Sequence, residues 1–293
     1  MTATTPSSNH PRLQPELFRP ALQYPSYPYA GMLGRSAERC PEHVAVVFKD
    51  VNLTYRELDA LVNSFAKALL ELGIGKGQTV CLFMTNRPEY VISWFAIARV
   101  GAVASPMNPA YKEREVAYQL SNSEAVAVLV QQELLPLVQA VRTETPALEH
   151  VVVGSGQFVP RAGTLLFNHL LRTHSPAPLT IEPGWEDVVA LPYSSGTTGL
   201  PKGVMLSHKN LVCNAVQSVA TARITFEDRL LVFVPLYHIY GIMLMGLAAM
   251  TGARLVLMER FEAGRCLQLI QEQSITILYS VPQVLAVLND WTE

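Results

Sequence analysis

The sequence predicts an α/β protein whose sheets are mainly parallel and covered on both faces. Three observations carry this. Apolar runs of strand length alternate with segments of helical period along most of the chain. Some of those runs, such as residues 126–130, are apolar almost throughout, which suits strands buried on both sides. Helix starts are also marked where the alternation needs them, by Thr54 with Glu57, by Ser207 and by Pro282.

The elements follow in order. Residues 44–48 read as a strand. Thr54-Tyr-Arg-Glu57 is a capping box, and the helix behind it sets Leu58, Leu61, Val62, Phe65, Leu69 and Leu72 on one stripe before stopping at Gly73. Residues 79–84 are the next strand, and Asn86 reads as the cap of a helix to Val100. Val103 is strand-like, residues 112–121 helical, 126–130 a strand, 134–142 helical and 151–153 a short strand. Residues 188–193 and 204–206 read as strands flanking a glycine-rich turn, and Ser207 caps a helix to about Ala222. A strand at 230–234, a helix at 239–250, a strand at 254–258, a helix at 264–273 and a strand at 275–279 come next. Pro282 suits the first turn of a last helix.

Residues 1–28 hold many Pro, Ser, Thr and Tyr residues without a period, and read as an extended or partly disordered arm. The remainder, 29–293, reads as one large unit, with a subdomain crossing at about 154–184.

The 293 residues, 49% hydrophobic and 16% charged, suffice for a well-buried core. A net charge of −2 without a long basic run argues against a nucleic-acid partner or adhesion to anionic lipid. Cys40, Cys81, Cys213 and Cys266 are far apart and lack zinc or redox spacing. They read as free thiols in a reducing, cytoplasmic setting. No signal peptide is visible, no metal-ligand spacing occurs, and the most apolar run, 239–250, is too short to span a bilayer.

The densest chemistry lies in residues 193–208, Tyr-Ser-Ser-Gly-Thr-Thr-Gly-Leu-Pro-Lys-Gly-Val-Met-Leu-Ser-His. Glycines let a turn direct its amides at a ligand, and such a turn forms an anion-binding concavity. Hydroxyls add neutral donors, and lysine adds a mobile point charge suited to phosphate. Ser194, Ser195, Gly196, Thr197, Thr198, Gly199 and Lys202 therefore read as a polyphosphate cradle. It is not a Walker A loop, because Lys202 stands between Pro201 and Gly203 rather than opening a helix. The bland alternative is a Gly/Ser/Thr linker. A linker needs no Pro-Lys-Gly and is seldom bracketed by strands.

This run resembles the phosphate-binding signature of the adenylate-forming superfamily: acyl- and aryl-CoA synthetases, luciferase-like enzymes and peptide-synthetase adenylation domains. The resemblance extends over about residues 30–293. It includes Gly-Ala-Val-Ala-Ser-Pro-Met-Asn-Pro-Ala-Tyr at 101–111, Phe-Val-Pro-Leu-Tyr-His-Ile-Tyr-Gly at 233–241, Arg260-Phe261 and Ser280-Val281-Pro282. The most similar members are 4-coumarate–CoA ligases and fatty acyl-CoA synthetases. The fold this implies is a large N-terminal domain of two sheet-and-helix subdomains plus a smaller sheet.

The resemblance implies a two-step reaction on a small carboxylic acid. The carboxylate attacks the α-phosphate of ATP, with Mg2+, to give an acyl-adenylate and pyrophosphate; the thiol of coenzyme A then displaces AMP. It implies Lys202 and the cradle on the phosphates, His238 as a catalytic group beside the carboxylate, and Tyr240 in the acid pocket. Gly241 would leave room for the substrate, and Arg260 would meet the nucleotide end of coenzyme A. By residue type alone, His238 and Tyr240 also suit a core, Arg260 a plain surface, and Met243 and Met245 either pocket or core. His208 suits a helix start or a phosphate. The family's Tyr-Gly-x-Thr-Glu and Thr-Gly-Asp segments are not found in the sequence. The expectation is thus a truncated N-terminal part lacking the C-terminal domain and most magnesium-linked groups, inactive alone, with an apolar docking face open to a homodimer. An adenylating domain that loads a carrier protein, and a non-catalytic nucleotide or acyl binder, are the alternatives. The identity of the acid, aromatic or fatty, is open.

Overall fold

Two mainly parallel sheets share a layer of helices between them in the computed structural model, which describes residues 22–154, 163–194 and 200–291. The larger sheet has seven strands in the order Leu206–Ser207, Val188–Ala190, Val103–Pro106, Thr79–Phe83, Ala127–Gln131, His150–Gly154 and Leu165–Leu166. Its pairs are parallel except for Leu206–Ser207 against Val188–Ala190. The smaller sheet has four strands in the order Arg229–Val232, Arg254–Leu257, Val44–Phe48 and Val51–Thr54, with only the last pair antiparallel. The chain begins the small sheet, builds the large one, and returns to the small sheet after Ala222.

The central strands Thr79–Phe83 and Ala127–Gln131 are buried at every residue. Their alternating side chains feed two cores. Val80, Leu82 and Leu129 join the main core with helices Tyr55–Glu71 and Pro88–Arg99. Cys81, Phe83, Val128 and Val130 pack on the other side against Val116, Leu120, Leu135 and Val138. Helix 55–71 meets the small sheet, and helix 88–99 meets the large one and helix 55–71. Near-continuous apolar strands therefore do mean a sheet covered on both faces.

Local signals set several boundaries as expected. Thr54 and Glu57 form both arms of the capping box, Ser207 caps helix His208–Ala222, and Pro282 opens helix Pro282–Asn289. The apolar run becomes helix Ile239–Thr251, with Leu244, Met245 and Leu247 fully buried. Among the described residues no helix is long and apolar enough to cross a membrane. Cys40, Cys81, Cys213 and Cys266 are free.

Four expectations change. Asn86 does not cap a helix; Pro88 takes the first helical position, which makes Arg87 the N-cap and frees the Asn86 amide for other partners. Val51–Thr54 is an additional edge strand. The strand expected at 188–193 splits around Pro192. Val188–Ala190 stays in the large sheet, and Tyr193–Ser194 pairs with Lys202–Gly203 in a separate ribbon. Residues 275–279 are not a strand. Ser274 turns with φ 48, the Ile275 amide bonds back to Ile270, and Thr276 and Ile277 bond to the edge strand at Arg229 and Leu231 with a single isolated bridge, Ile277 to Leu230.

Candidate active site

A cleft of about 660 Å³ opens where four parallel strands from both sheets end. Thr85 and Asn86 follow Thr79–Phe83, and Asn108 to Ala110 follow Val103–Pro106. Phe233 to Pro235 follow Arg229–Val232, and Glu259 to Phe261 follow Arg254–Leu257. Side chains just past parallel strand ends project beyond the pleated layer, which is why ligand sites gather there in open α/β sheets. Tyr237, His238 and Tyr240 close one wall, and Val281 and Val284 another.

His238 is the N-cap of helix 239–251, and its Nδ1 accepts the Tyr240 amide hydrogen at 3.3 Å. A backbone amide can only donate, so in the neutral ring the proton sits on Nε2. The imidazole is exposed on the cleft wall. Tyr240 is half-buried, its ring edge-on to Tyr279 at 6.0 Å between centroids, and burial pushes its phenol up. Gly241 is buried and does not line the cleft, and its lack of a side chain serves close packing. A Cβ there would stand 2.5 Å from the Leu236 Cα and closer still to the Pro235 carbonyl oxygen. Met245 is core, and Met243 packs against it; neither lines the cleft.

The opposite rim is electrostatically tied down. Glu259 accepts Arg87 Nη2 at 3.0 Å and Lys49 Nζ at 3.0 Å, and the Thr85 hydroxyl approaches at 3.3 Å. Burial pushes the Glu259 carboxyl up, but the Lys49 ammonium, the Arg87 guanidinium and the Thr85 hydroxyl outweigh it and hold it below the ordinary glutamate value. Arg260 beside it is exposed and makes no ion pair among the described residues. Phe261 packs on Phe233 at 5.2 Å.

The cradle residues Ser195, Gly196, Thr197, Thr198 and Gly199 lie outside the described residues. Its flanks are described. Ser194 pairs in register with Lys202, so the two ends of the motif stand side by side, both exposed. Tyr118 donates to the Pro201 carbonyl at 2.8 Å and Tyr193 to Asn122 Oδ1 at 2.6 Å, anchoring this ribbon to helix Glu113–Asn122. Gly203 lets the ribbon press on Leu191, whose Cδ1 lies 3.0 Å from where a Cβ would stand.

Ser194 and Lys202 are not on the cleft wall. Tyr111 shares a small pocket with Tyr193 and Pro201 at the ribbon, and burial, then Tyr237, pushes its phenol up, while burial pushes Tyr193 up to about 12. The structure thus brings His238, Tyr240 and Arg260 together on one cleft and leaves Ser194 and Lys202 off its wall.

His208 opens its helix fully buried, and neither ring nitrogen has a hydrogen-bond partner. Burial pushes its pKa down to about 4, with Asp187 opposing. Asn86, Tyr237, Phe233 and Glu259 are cleft residues to which the sequence reading gave no site role. For Asn86 the signal was present in Pro88, whose place at a helix start moves the cap past Asn86.

Residues 33–292 match the AMP-binding enzyme family. A 4-coumarate–CoA ligase 4 of Arabidopsis thaliana is 34% identical over 244 residues, which cover 79% of this chain and 42% of that protein. The long-chain-fatty-acid–CoA ligase FadD13 of Mycobacterium tuberculosis is 32% identical, covering 80% of this chain and 46% of that protein. Among solved structures, the inhibitor-bound N-terminal domain of FACL13 from Mycobacterium tuberculosis superposes with a TM-score of 0.84 at 29% identity, over 90% of this chain and 65% of that one. The anthranilate CoA ligase AuaEII in complex with anthranoyl-AMP gives 0.83 at 30% identity, over 89% of this chain and 51% of that one. The chain spans about half the length of the curated relatives it matches. It belongs to the AMP-binding enzyme family.

Proposed function

We propose that this member of the AMP-binding enzyme family is part of an ATP-dependent acid–CoA ligase. The convergence of His238, Tyr240 and Arg260 on one cleft at the ends of parallel strands carries the reading. The relatives named above are acid–CoA ligases, which favours coenzyme A over a carrier protein as the thiol.

In this reading the cradle from Ser194 to Lys202 holds the triphosphate, and its amides, hydroxyls and ammonium take up charge on the departing pyrophosphate. The carboxylic acid lies against Tyr237 and Tyr240. One carboxylate oxygen forms a bond to the α-phosphorus as the bond to pyrophosphate breaks. Nε2–H of His238 donates to the other oxygen, at the positive end of helix 239–251. His238 acts as a donor that orients, since its remaining nitrogen is engaged by Tyr240. In the second step the thiolate sulfur attacks the acyl carbon and AMP leaves, with Arg260 free to meet an anionic group on coenzyme A. Among the described residues no group of three or more His, Cys, Asp or Glu side chains is placed to hold a metal.

Titration calorimetry of the chain with ATP and with aryl- and acyl-sulfamoyl adenosines, stable mimics of the acyl-adenylate, tests this. Saturable binding of at least one mimic is expected, weakened tenfold or more in His238→Ala and in Lys202→Ala. No saturable binding to any mimic would refute the reading.

A further inference from the structure

We propose that Asn86 is a positioning residue that fixes the site of His238 by clamping the Val234–Leu236 turn to the large sheet. Its side chain is 3% exposed and lies just beyond the central strand Thr79–Phe83. Oδ1 accepts the Leu236 amide at 2.7 Å. Nδ2 donates to the Val234 carbonyl at 3.0 Å, to the Met258 carbonyl at 3.1 Å and, more loosely, to the Val232 carbonyl at 3.4 Å. One amide from the large sheet thus engages the exits of both small-sheet strands whose following turns line the cleft.

The turn is only six residues long between Val232 and the start of helix 239–251, and it contains a proline. Val234 and Leu236 are held by Asn86 on either side of Pro235, which presents the Pro235 carbonyl to the His238 amide at 3.1 Å. That same carbonyl and the Leu236 Cα fill the space beside Gly241. A continuous set of contacts therefore runs from Asn86 through Pro235 to the two residues that flank the first turn of the helix. Asn86, Val234 and Leu236 are buried, so the bonds of the clamp itself are shielded from water, while Pro235 and His238 beyond it are exposed.

Asn86 also has no capacity left for a ligand. Its carbonyl oxygen is engaged, and its two amide hydrogens face three carbonyls. It acts through the turn and not on the reacting atoms. The sequence reading of a helix cap assigned this residue a local task, whereas its partners lie about 150 positions away.

The test reads His238 directly and needs no ligand in its first arm. Long-range 1H–15N spectra of the histidine rings, with His238 assigned by its loss in His238→Gln, report the tautomer. In the native chain the Nε2–H form is expected. In Asn86→Ala and in Asn86→Asp, the latter similar in shape but lacking the Nδ2 donors, the His238 signals should move toward a mixture of tautomers while the other ring signals and the far-ultraviolet dichroism stay in place. An unchanged His238 spectrum in both folded variants would overturn the proposal. So would loss of the fold in both at 25 °C, since the clamp is proposed to hold a turn and not the whole domain.

The second arm rests on the functional reading above: affinity for the acyl-sulfamoyl adenosine should fall tenfold or more in Asn86→Ala, with affinity for inorganic pyrophosphate within twofold of native. Equal losses for both would count against a turn-specific role. If the native chain binds no mimic, the functional reading fails while the tautomer arm still decides the role of Asn86.

Discussion

His238 and Tyr240 are joined across the first turn of a helix, the imidazole Nδ1 accepting the Tyr240 amide hydrogen at 3.3 Å. The side chain is thereby a helix cap and a wall of the cleft at once, and the first task sets the tautomer available for the second. The two tasks can be separated. His238→Asn keeps an oxygen where Nδ1 stood and should retain stability, because Asn is a favourable N-cap, yet lose the outward donor. His238→Ala should lose both, with about 1 kcal/mol of stability. Urea denaturation and calorimetry with an acyl-sulfamoyl adenosine check the pair. Equal stability loss in both variants would show that the cap is unimportant.

Gly241→Ala should be more damaging than its size suggests. The added methyl meets backbone, not a side chain that can rotate away. Overpacking of this kind costs about 1–3 kcal/mol, and relief can come only by moving the Pro235–Leu236 turn. A lowered urea midpoint together with weaker mimic binding is the expected outcome. A native midpoint would mean the turn yields freely.

Glu259→Gln should destabilise by about 1.5–3 kcal/mol, the range for hydrogen bonds to charged groups, since Arg87 and Lys49 both pair with the carboxylate. The pH sign follows from its lowered pKa. Its contribution is complete above the ordinary glutamate value and disappears as pH falls through the lower value of the folded state. The native chain should therefore converge on the variant in acid. A constant gap between them at every pH would contradict this.

His208 gives a second acid effect at higher pH. The ring is fully buried with its pKa pushed down to about 4, from an ordinary value of 6.5. On lowering the pH from 6.5 to 4, the unfolded chain takes up a proton that the folded chain refuses, so stability falls, by up to about 3 kcal/mol. His208→Leu should remove that slope. Chemical denaturation of both proteins at a series of pH values provides the comparison, and parallel curves would rule the effect out.

Lys202→Ala should leave stability within about 0.5 kcal/mol, as expected for an exposed side chain away from packed features. Its effect should fall on ATP affinity. Thermal melts with and without ATP separate the two, and a melt lowered without nucleotide would place Lys202 in the fold.

Much of this protein is written locally. Alternating apolar runs determined a doubly covered parallel sheet because burial on both faces demands apolar side chains at every strand position, as at residues 79–83 and 127–131. Thr54, Ser207 and Pro282 determined helix starts because a cap needs only its own next few amides. The motif around Lys202 and the turn before Tyr240 could likewise be singled out from contiguous residues. Other assignments depended on neighbours far away in sequence. Asn86 reads as a cap until Leu236, Val234 and Met258 are brought to it from the other sheet. Gly241 reads as room for a ligand, and only the packed structure shows that a side chain there would meet the Pro235–Leu236 backbone. The strand expected at 275–279 touches its edge only through Thr276 and Ile277 and forms a single isolated bridge there. Hydrogen-bond partners and free volume are properties of juxtaposed segments, so the chain fixes which groups are available while the packing of its two sheets decides what each group faces.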